Sequence, residues 1–307
     1  MGALRICLLG VMSITHDEWP VETRLSRTVK ELLAYITLFR HRIHAREVLA
    51  GQFWGDHSDE KARSCLSTAL WRLRKVLEPD EVPKGTYLLT TPTGDIGFNR
   101  ESEHWLDIEV FEHHGRELLA KPYQSLQPGE VNQLENALGL YRGELLEGFY
   151  DEWALRERER LRSLYLHSLA HLLQYYRHFK SYKKGLACGH KILDLDPLRE
   201  EIHREMMRLY YRNGQRAQAL RQYDNCSKIL ENELGVPPME ETQLLRVQIF
   251  NRSESNQMQN RSQVDLRTAR EAIREFQQAL NDFDRSTAKL RRTSKTLEGL
   301  IKCGDST

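Results

Sequence analysis

The stretch KARSCLSTALWRLRKVL, Lys61 to Leu77, carries five basic residues and no acidic one, although the whole chain nearly balances 45 Lys and Arg against 44 Asp and Glu. Its apolar residues recur every three or four positions, which is the spacing of one stripe along a helix. They are Ala62, Leu66, Ala69, Leu70, Leu73, Val76 and Leu77. The stretch therefore predicts an amphipathic helix with one basic and polar face.

The polar face of this predicted helix holds the candidate binding residues. A face of this kind suits a nucleic acid, but basic helix faces are more often solvated surfaces, so the helix alone does not decide between the two. The face carries Ser64, Ser67, Thr68, Trp71 and Lys75, with Arg63, Arg72 and Arg74 at its margins.

The neighbouring stretches favour DNA. Alternating apolar residues predict a strand over residues 4–14, and helical spacing follows at residues 25–40 and 44–55. Residues 86–99 contain two β-prone runs around a Pro-Thr-Gly-Asp turn, which predicts a hairpin. A strand, three helices and a hairpin in this order predict a winged helix, whose third helix enters the DNA major groove.

Helical spacing dominates the chain from about residue 105 to 250. Within it, FKSYKKGL at 179–186 aligns with NGQRAQAL at 213–220, an offset of 34 residues. That offset is the period of tetratricopeptide repeats, in which stacked helix pairs bury a shared core. We therefore predict tetratricopeptide-like helix pairs, with a generic helical bundle as the alternative.

The C-terminal part of the sequence changes character twice. Residues 251–263 have one Met as their single apolar side chain, which predicts a flexible linker. Over residues 264–307, apolar positions then alternate in steps of four and three, which predicts a heptad helix. Because such a stripe is unfavourable in water, we expect residues 264–301 to pair in a homo-oligomer, while folding back on the repeats stays open. The stripe comprises Ala269, Ile273, Phe276, Leu280, Phe283, Thr287, Leu290, Ser294, Leu297 and Ile301.

Composition and spacing argue against several classes of protein. The five cysteines lie far apart and form no C-x-x-C motif, which predicts reduced thiols in a cytoplasmic protein. The N-terminal apolar run alternates like a strand, and no stretch is long enough to span a membrane, so we expect a soluble protein.

The sequence offers little support for catalysis or metal binding. No arrangement of nucleophile and base is recognisable, so we expect neither an enzyme nor a cofactor. The histidine pairs lack acids or thiols at ligand spacing, so we expect no metal site. These pairs are His41 and His44, His113 and His114, and His167 and His171.

Several stretches together resemble a known family of bacterial regulators. LAGQFWGD at 49–56, STALWRLRKVL at 67–77 and WLDIEVFE at 105–112 are similar to the OmpR/PhoB-type winged helix of SARP-like transcriptional activators. Further along, the chain resembles the bacterial transcriptional activator domain, a tetratricopeptide-like module. The stretches that carry this second resemblance are DEWALRERERL at 151–161, LDPLREEIHREMM at 195–207 and ENELGVPP at 231–238.

The sequence predicts a mainly α-helical protein in four parts. The resemblance places an α+β winged-helix DNA-binding domain at residues 1–102 and a tetratricopeptide-like activator domain at 103–250. The predicted linker at 251–263 and the heptad helix at 264–307 follow, and the heptad helix lies outside the family pattern. The resemblance also implies a transcriptional activator that binds double-stranded DNA at promoter repeats and contacts RNA polymerase.

Carried over to this sequence, the resemblance assigns roles within the third helix. Arg72, Arg74 and Lys75 would reach DNA phosphates. Because Ser and Thr discriminate weakly between bases, we expect specificity to depend also on Arg63 and on DNA shape. The residues that would face base edges are Ser64, Ser67, Thr68 and Trp71. For Trp71, packing at the rim of the core is an alternative. The loop at 54–60, WGDHSDE, matches the region presented to polymerase, whereas the hairpin lacks the Gly-Tyr pair common in family wings.

Two other functions stay open at this stage. The repeats and the heptad helix could form an interaction scaffold in which the winged helix no longer binds DNA. Alternatively, the repeats could sense a small-molecule effector such as a nucleotide messenger in a concave groove. Candidate residues for that groove are Arg156, Arg158, Arg160, Arg162 and Arg177.

Overall fold

The computed structural model describes residues 4–16, 19–21, 25–251 and 271–278, together with Arg285 and Thr287. The chain divides into two compact units, one ending at Leu209 and the other beginning at Tyr210. Most of the predicted linker and heptad helix lies outside the described residues, although residues 271–278 are helical. Within the described ranges, no helix is both long enough and apolar enough to cross a membrane.

The first unit opens with a four-stranded sheet in the order β3-β2-β1-β6. Strands β1 (Leu4–Cys7), β2 (Ser13–His16) and β3 (Trp19–Pro20) pair antiparallel, and β6 (His104–Leu106) lies parallel to β1. The even-numbered apolar residues are buried as the alternation predicts. The single strand predicted over residues 4–14 is wrong, however, because the chain turns at Gly10, whose φ of 99° suits glycine.

Three helices follow the sheet: α1 (Arg27–Leu38), α2 (Arg46–Trp54) and α3 (Asp59–Leu77). Helix α3 begins directly after Ser58, its N-cap, and buries the predicted apolar stripe apart from the half-buried Val76, with Ala62, Leu66, Ala69, Leu70, Leu73 and Leu77 inside. Strands β4 (Leu88–Thr90) and β5 (Ile96–Phe98) form the predicted hairpin. The winged-helix prediction is confirmed by this element order.

Two anchors fix the hairpin against the helices. The buried carboxylate of Glu78, directly after α3, accepts hydrogen bonds from the backbone N–H groups of Gly85, Tyr87 and Leu88 at 2.7 to 3.0 Å. On the other side, His44 and Ile96 exchange two backbone hydrogen bonds of 2.8 Å. The hairpin is therefore held to both the end of α3 and the connection between α1 and α2.

The rest of the first unit is helical. It comprises α4 (Asp107–Leu119), a 3₁₀ turn (Tyr123–Ser125), α5 (Pro128–Leu138), α6 (Glu152–His178), α7 (Tyr182–Leu195) and the part of α8 (Glu200–Arg212) that ends at Leu209. Helix α6 packs along α7 and also contacts α4 and α5. At the entry to α4, the buried carboxylate of Asp107 accepts hydrogen bonds from the N–H groups of Leu8, Leu9 and Ile108.

The second unit contains α9 (Arg216–Leu234) and a helical segment at residues 240–251, here called α10. Helix α9 ends at Gly235 in a left-handed conformation, with φ of 68°. The guanidinium of Arg216 donates to the carbonyl oxygens of Ile249 and Phe250, at 3.1 and 2.9 Å. These bonds tie the start of α9 to the last described turn of α10.

The 34-residue period is visible in the backbone of both units. Lys180 and Gly214 both have positive φ, at 58° and 75°. Each is followed by the same turn: the N–H of Ser181 donates to Tyr176 O, and that of Gln215 donates to Tyr210 O, both at 2.8 Å. Helices α7 and α9 then begin 34 residues apart. The predicted tetratricopeptide-like repeat is confirmed.

Within the first unit, the winged helix is paired to the helices that follow it. The backbone of Leu8 and Gly10 exchanges hydrogen bonds of 2.9 to 3.0 Å with residues 144–147. The ring of Trp153, at the start of α6, lies 5.2 Å from that of Tyr35 and also contacts Phe39 and Phe53. These aromatic contacts and backbone bonds make one continuous core.

A buried charge cluster strengthens the same junction. The carboxylate of Glu112 on α4, 8% exposed, receives the guanidinium of Arg160 on α6 at 2.6 Å. It also receives Arg40, just after α1, and Arg116 on α4, each at 3.2 Å. Burial alone would raise the pKa of Glu112, but the charges of Arg160 and Arg40 outweigh it and lower that pKa.

We expect the stabilising effect of Glu112 to depend on pH. Because its pKa in the folded chain is lowered, its contribution is complete above the usual glutamate value of about 4.3 and is lost as the pH falls through the lowered value. Glu112→Gln should reduce the free energy of unfolding by about 2 kcal/mol at pH 7, since it removes the buried charge that Arg40, Arg116 and Arg160 share. Urea unfolding followed by circular dichroism should show a smaller difference from wild type below pH 4.

The matched control is Glu117→Gln on the same helix. The side chain of Glu117 is 60% exposed in its ion pair with His113, so this change should be nearly neutral. A difference between wild type and Glu112→Gln that stays constant from pH 7 to the acid range would contradict the assignment.

Candidate nucleic-acid interface

All eight residues predicted to contact DNA lie on α3, on the side opposite its buried stripe. Seven of them are exposed and Arg74 is half-buried; the full set is Arg63, Ser64, Ser67, Thr68, Trp71, Arg72, Arg74 and Lys75. The helix runs for 19 residues with acids confined to its first turn, Asp59 and Glu60. The exposed face beyond that turn is therefore uniformly basic or neutral.

The hydroxyl groups in the middle of this face are held by short-range bonds. Ser67 Oγ donates to the carbonyl oxygen of Arg63 at 2.9 Å, and Thr68 Oγ1 donates to that of Ser64 at 3.0 Å. Hydroxyl oxygens also accept hydrogen bonds, so both side chains keep acceptor capacity toward solvent. The two hydroxyls are thus fixed in orientation on the exposed face.

Arg46, the first residue of α2, belongs to the same surface and is missing from the predicted set. Its Nη2 donates to Ser67 Oγ at 2.8 Å. A basic side chain in the first turn of a helix is unfavourable with respect to the helix dipole. The position of Arg46 in that first turn is therefore a sequence signal that its side chain interacts outside α2.

Arg74 differs from the other predicted cations because it also fixes the hairpin. Its Nη2 donates to Thr90 Oγ1 on β4 at 2.5 Å. This bond directs the guanidinium along the gap between α3 and the hairpin. Arg74 therefore combines a positive charge with a positioning role.

Trp71 is 60% exposed, which argues against packing at the rim of the core. Lys75 lies one helical turn further on, with its Nζ 5.2 Å from the centroid of the Trp71 ring. An ammonium at this distance is attracted to the face of an indole. The pair presents an aromatic surface beside a positive charge.

A groove of about 730 Å³ runs between the second half of α3, the loop after it and β4. Its basic lining consists of Arg74, Lys75 and Lys84, with Glu78 and Asp80 on the loop side. Lys84 is a further cation that the helix pattern could not identify, because it lies in an irregular loop. The groove extends the basic surface from α3 toward the hairpin.

The tip of the hairpin has a different character. Thr91 Oγ1 lies 2.7 Å from Thr93 Oγ1, whose hydroxyl donates to Asp95 Oδ2 at 2.8 Å. Gly94 between them has φ of 92°, a conformation that glycine adopts without strain. The tip is thus ordered by threonines and an aspartate, and its residues 91–95 carry no basic side chain.

The arginines considered for a ligand groove do not converge in the structure. Arg156 pairs with Glu152, Arg160 with Glu112 and Glu157, and Arg177 with Glu205. Arg158 and Arg162 donate to backbone carbonyls; their partners are Leu145, Leu146, Phe149 and Leu195. Each guanidinium has a local structural partner.

Among the described residues, one group brings three possible metal ligands together. The ligand atoms of His113, His114 and Glu117 lie within 4.8 Å of one another on α4. Their side chains are at the surface, and His113 and Glu117 form an ordinary ion pair one helical turn apart at 3.3 Å. An exposed pair of this kind needs no metal to explain it.

Comparison with known proteins matches most of the described chain. Residues 106–250 match the family model of the bacterial transcriptional activator domain. The chain is 26% identical over 300 residues to the regulatory protein AfsR of Streptomyces coelicolor. This alignment covers 96% of this chain and 29% of AfsR. It is also 25% identical over 258 residues to the transcriptional regulatory protein MoaR1 of Mycobacterium bovis. That alignment covers 77% of this chain and 76% of MoaR1.

A solved structure shows the same fold. Mycobacterium tuberculosis EmbR, in complex with a low-affinity phosphopeptide, matches with a TM-score of 0.60 and 19% identity over 82% of this chain and 66% of EmbR. The chain spans less than a third of the length of AfsR. Residues 106–250, which match the bacterial transcriptional activator domain, follow a winged helix, an arrangement similar to that of SARP-like transcriptional activators.

Proposed function

We propose that the protein is a sequence-specific regulator that binds double-stranded DNA through α3 and activates transcription, without enzymatic activity of its own. The observation that carries this proposal is the exposed face of α3, which has no acid beyond its first turn in a chain of net charge +1. Regulatory relatives and the activator domain support it. A protein whose winged helix no longer bound DNA would have no need for such a face.

Contacts at this interface would divide into two kinds. Arg72, Arg74 and Lys75 supply charge to phosphates, which gives affinity that falls with salt. Base edges would be met by Arg63, Ser64, Ser67, Thr68 and Trp71, with Arg46 fixing the hydroxyl of Ser67. Hydroxyl groups discriminate weakly between bases, so sequence-dependent DNA shape would add to specificity.

The proposal includes two protein partners. The loop at residues 54–60, exposed from Gly55 to Glu60, is the surface that we propose for RNA polymerase. Residues 264–301 are the segment that we propose for homo-oligomerisation. Within it, Ile273 and Phe276 lie on a helical stretch and are 58% and 67% exposed, so they are available to a partner. Paired DNA-binding heads would fit repeated half-sites.

Arg72→Ala should weaken binding to all DNA sequences by a similar factor, because a phosphate contact carries no sequence information. The slope of log affinity against log salt should decrease by about one unit. Gel-shift titrations with genomic fragments at several salt concentrations measure both quantities. Arg221→Ala, at an exposed position on α9, is the matched control and should behave as wild type.

Wild-type slope and affinity in Arg72→Ala would show that α3 is not the recognition helix. If wild-type protein forms no retarded complex even at low salt, the interaction scaffold would become the favoured function.

Ser67→Ala should change sequence preference more than overall affinity. The substitution removes the hydroxyl that Arg46 contacts at 2.8 Å, so both a base-edge group and the orientation of a guanidinium change. Selection of bound fragments from a random DNA library, followed by sequencing, should give an altered consensus. An unchanged consensus would place Ser67 outside the base-reading surface.

Removal of residues 264–307 should convert the proposed oligomer into a monomer, because the apolar stripe that would hold it lies in that segment. Light scattering of the full-length and shortened chains at micromolar concentration measures this change in mass. A full-length chain that is monomeric, or a shortened chain that keeps the mass of the oligomer, would contradict the proposal.

A further inference from the structure

A second basic site lies away from α3, in a cavity of about 430 Å³ at the junction between the winged helix and the helices that follow it. Its volume is in the range of small-molecule sites. Six charged side chains line it: Arg40, Arg100, Arg116, Arg160, Glu112 and Glu157. They come from four separate parts of the first unit, the end of α1, the turn after β5, and helices α4 and α6.

The carboxylates fix the positions of the guanidiniums. Glu112 receives Arg40, Arg116 and Arg160 at 2.6 to 3.2 Å, and Glu157 binds Arg160 at 2.7 Å. A guanidinium has five N–H donors, so each of these arginines retains donors beyond the ones that Glu112 and Glu157 use. Arg40 and Arg160 are therefore held in place before any ligand enters.

The charges that line the cavity do not balance. Four guanidiniums face two carboxylates, and Arg100 forms no ion pair within the described part of the chain. Arg116 is 63% exposed and can turn toward a ligand while Arg40 and Arg160 still hold Glu112. Even when Glu109 is counted, 3.5 Å from Arg40 Nε, positive charge remains in excess.

We propose that this cavity binds the dianionic phosphate of a small molecule, with Arg100 and Arg116 as its principal ligands. A phosphate monoester carries close to two negative charges at neutral pH, which matches the unpaired charge of the lining. Guanidinium forks bind phosphate oxygens in a bidentate manner, and both Arg100 and Arg116 are exposed and open to a ligand from solvent. Phosphate diesters of DNA carry a single charge each and suit this cavity less well.

Binding here would couple two parts of the first unit. Arg40 and Arg100 belong to the winged helix, whereas Arg116 and Arg160 belong to the helices behind it. A ligand that contacts both sets stabilises the arrangement in which they lie together, by mass action. The site would thus allow a phosphorylated metabolite to regulate the protein, a role beyond the DNA binding proposed above and independent of it.

The test is isothermal titration calorimetry of the full chain at pH 7.5 and constant ionic strength. The probes are inorganic phosphate and adenosine 5′-monophosphate, with Arg100→Gln and Arg116→Gln as variants and Arg221→Gln as the matched control. Each cavity variant should weaken binding about tenfold or more, as expected for loss of a charge-assisted bond, and the control should bind like wild type. Circular dichroism melting without ligand checks that each variant is folded.

The two probes separate the sources of the phosphate. Tighter binding of the nucleotide would identify a phosphorylated metabolite, and equal binding would identify recognition of the phosphate ion itself. The proposal is overturned if neither probe binds wild type, or if folded Arg100→Gln and Arg116→Gln bind as tightly as the control. Because no DNA is present, this outcome is separate from that of the DNA-binding proposal.

Discussion

Three guanidiniums converge on the carboxylate of Glu112, and through it the end of α1, helix α4 and helix α6 are held together. A buried ion pair contributes little net stability, because the cost of desolvation offsets the attraction. Loss of one partner nevertheless lowers the free energy of unfolding strongly, because a buried charge is left unpaired. Such a cluster is therefore best suited to selecting one packing arrangement of the helices over others. Here it fixes the orientation of the winged helix on α4 and α6, together with the ring of Trp153.

That fixed frame explains how a nearly neutral protein can present a strongly basic surface. Three acids of the first unit, Asp107, Glu78 and Glu112, are buried among their hydrogen-bond partners. The cations of α3 lie on the outside, where the hairpin and α2 order them through Arg74 and Arg46. Net charge therefore says little about this molecule, whereas the placement of its charges, with no acid on α3 beyond the first turn, says much.

Periodicity in the sequence is enough to predict α3 and its buried stripe, and the repeat of 34 residues recurs in the turns at Lys180 and Gly214. Both features depend on local spacing, which a single sequence records directly. The bond from Arg46 to Ser67 and the convergence on Glu112 join residues from separate elements. Spacing shows which face of a helix is buried, but it does not identify the partner of that face. The turn at Gly10 was missed because apolar alternation continues on both sides of it.

Because residues 8–10 pair through their backbone with residues 144–147, the winged helix depends on the chain that follows it and is not an independent folding unit. In a fragment ending at residue 102, this stretch and the side of β1 that faces β6 would both be open strand edges. Open edges are templates for pairing with other molecules, so such a fragment would tend to aggregate. The aromatic rings around Trp153 would also lose their cover. In gene fusion or protein engineering, a piece of this chain that keeps the winged helix covered must therefore include residues 144–147 and the start of α6.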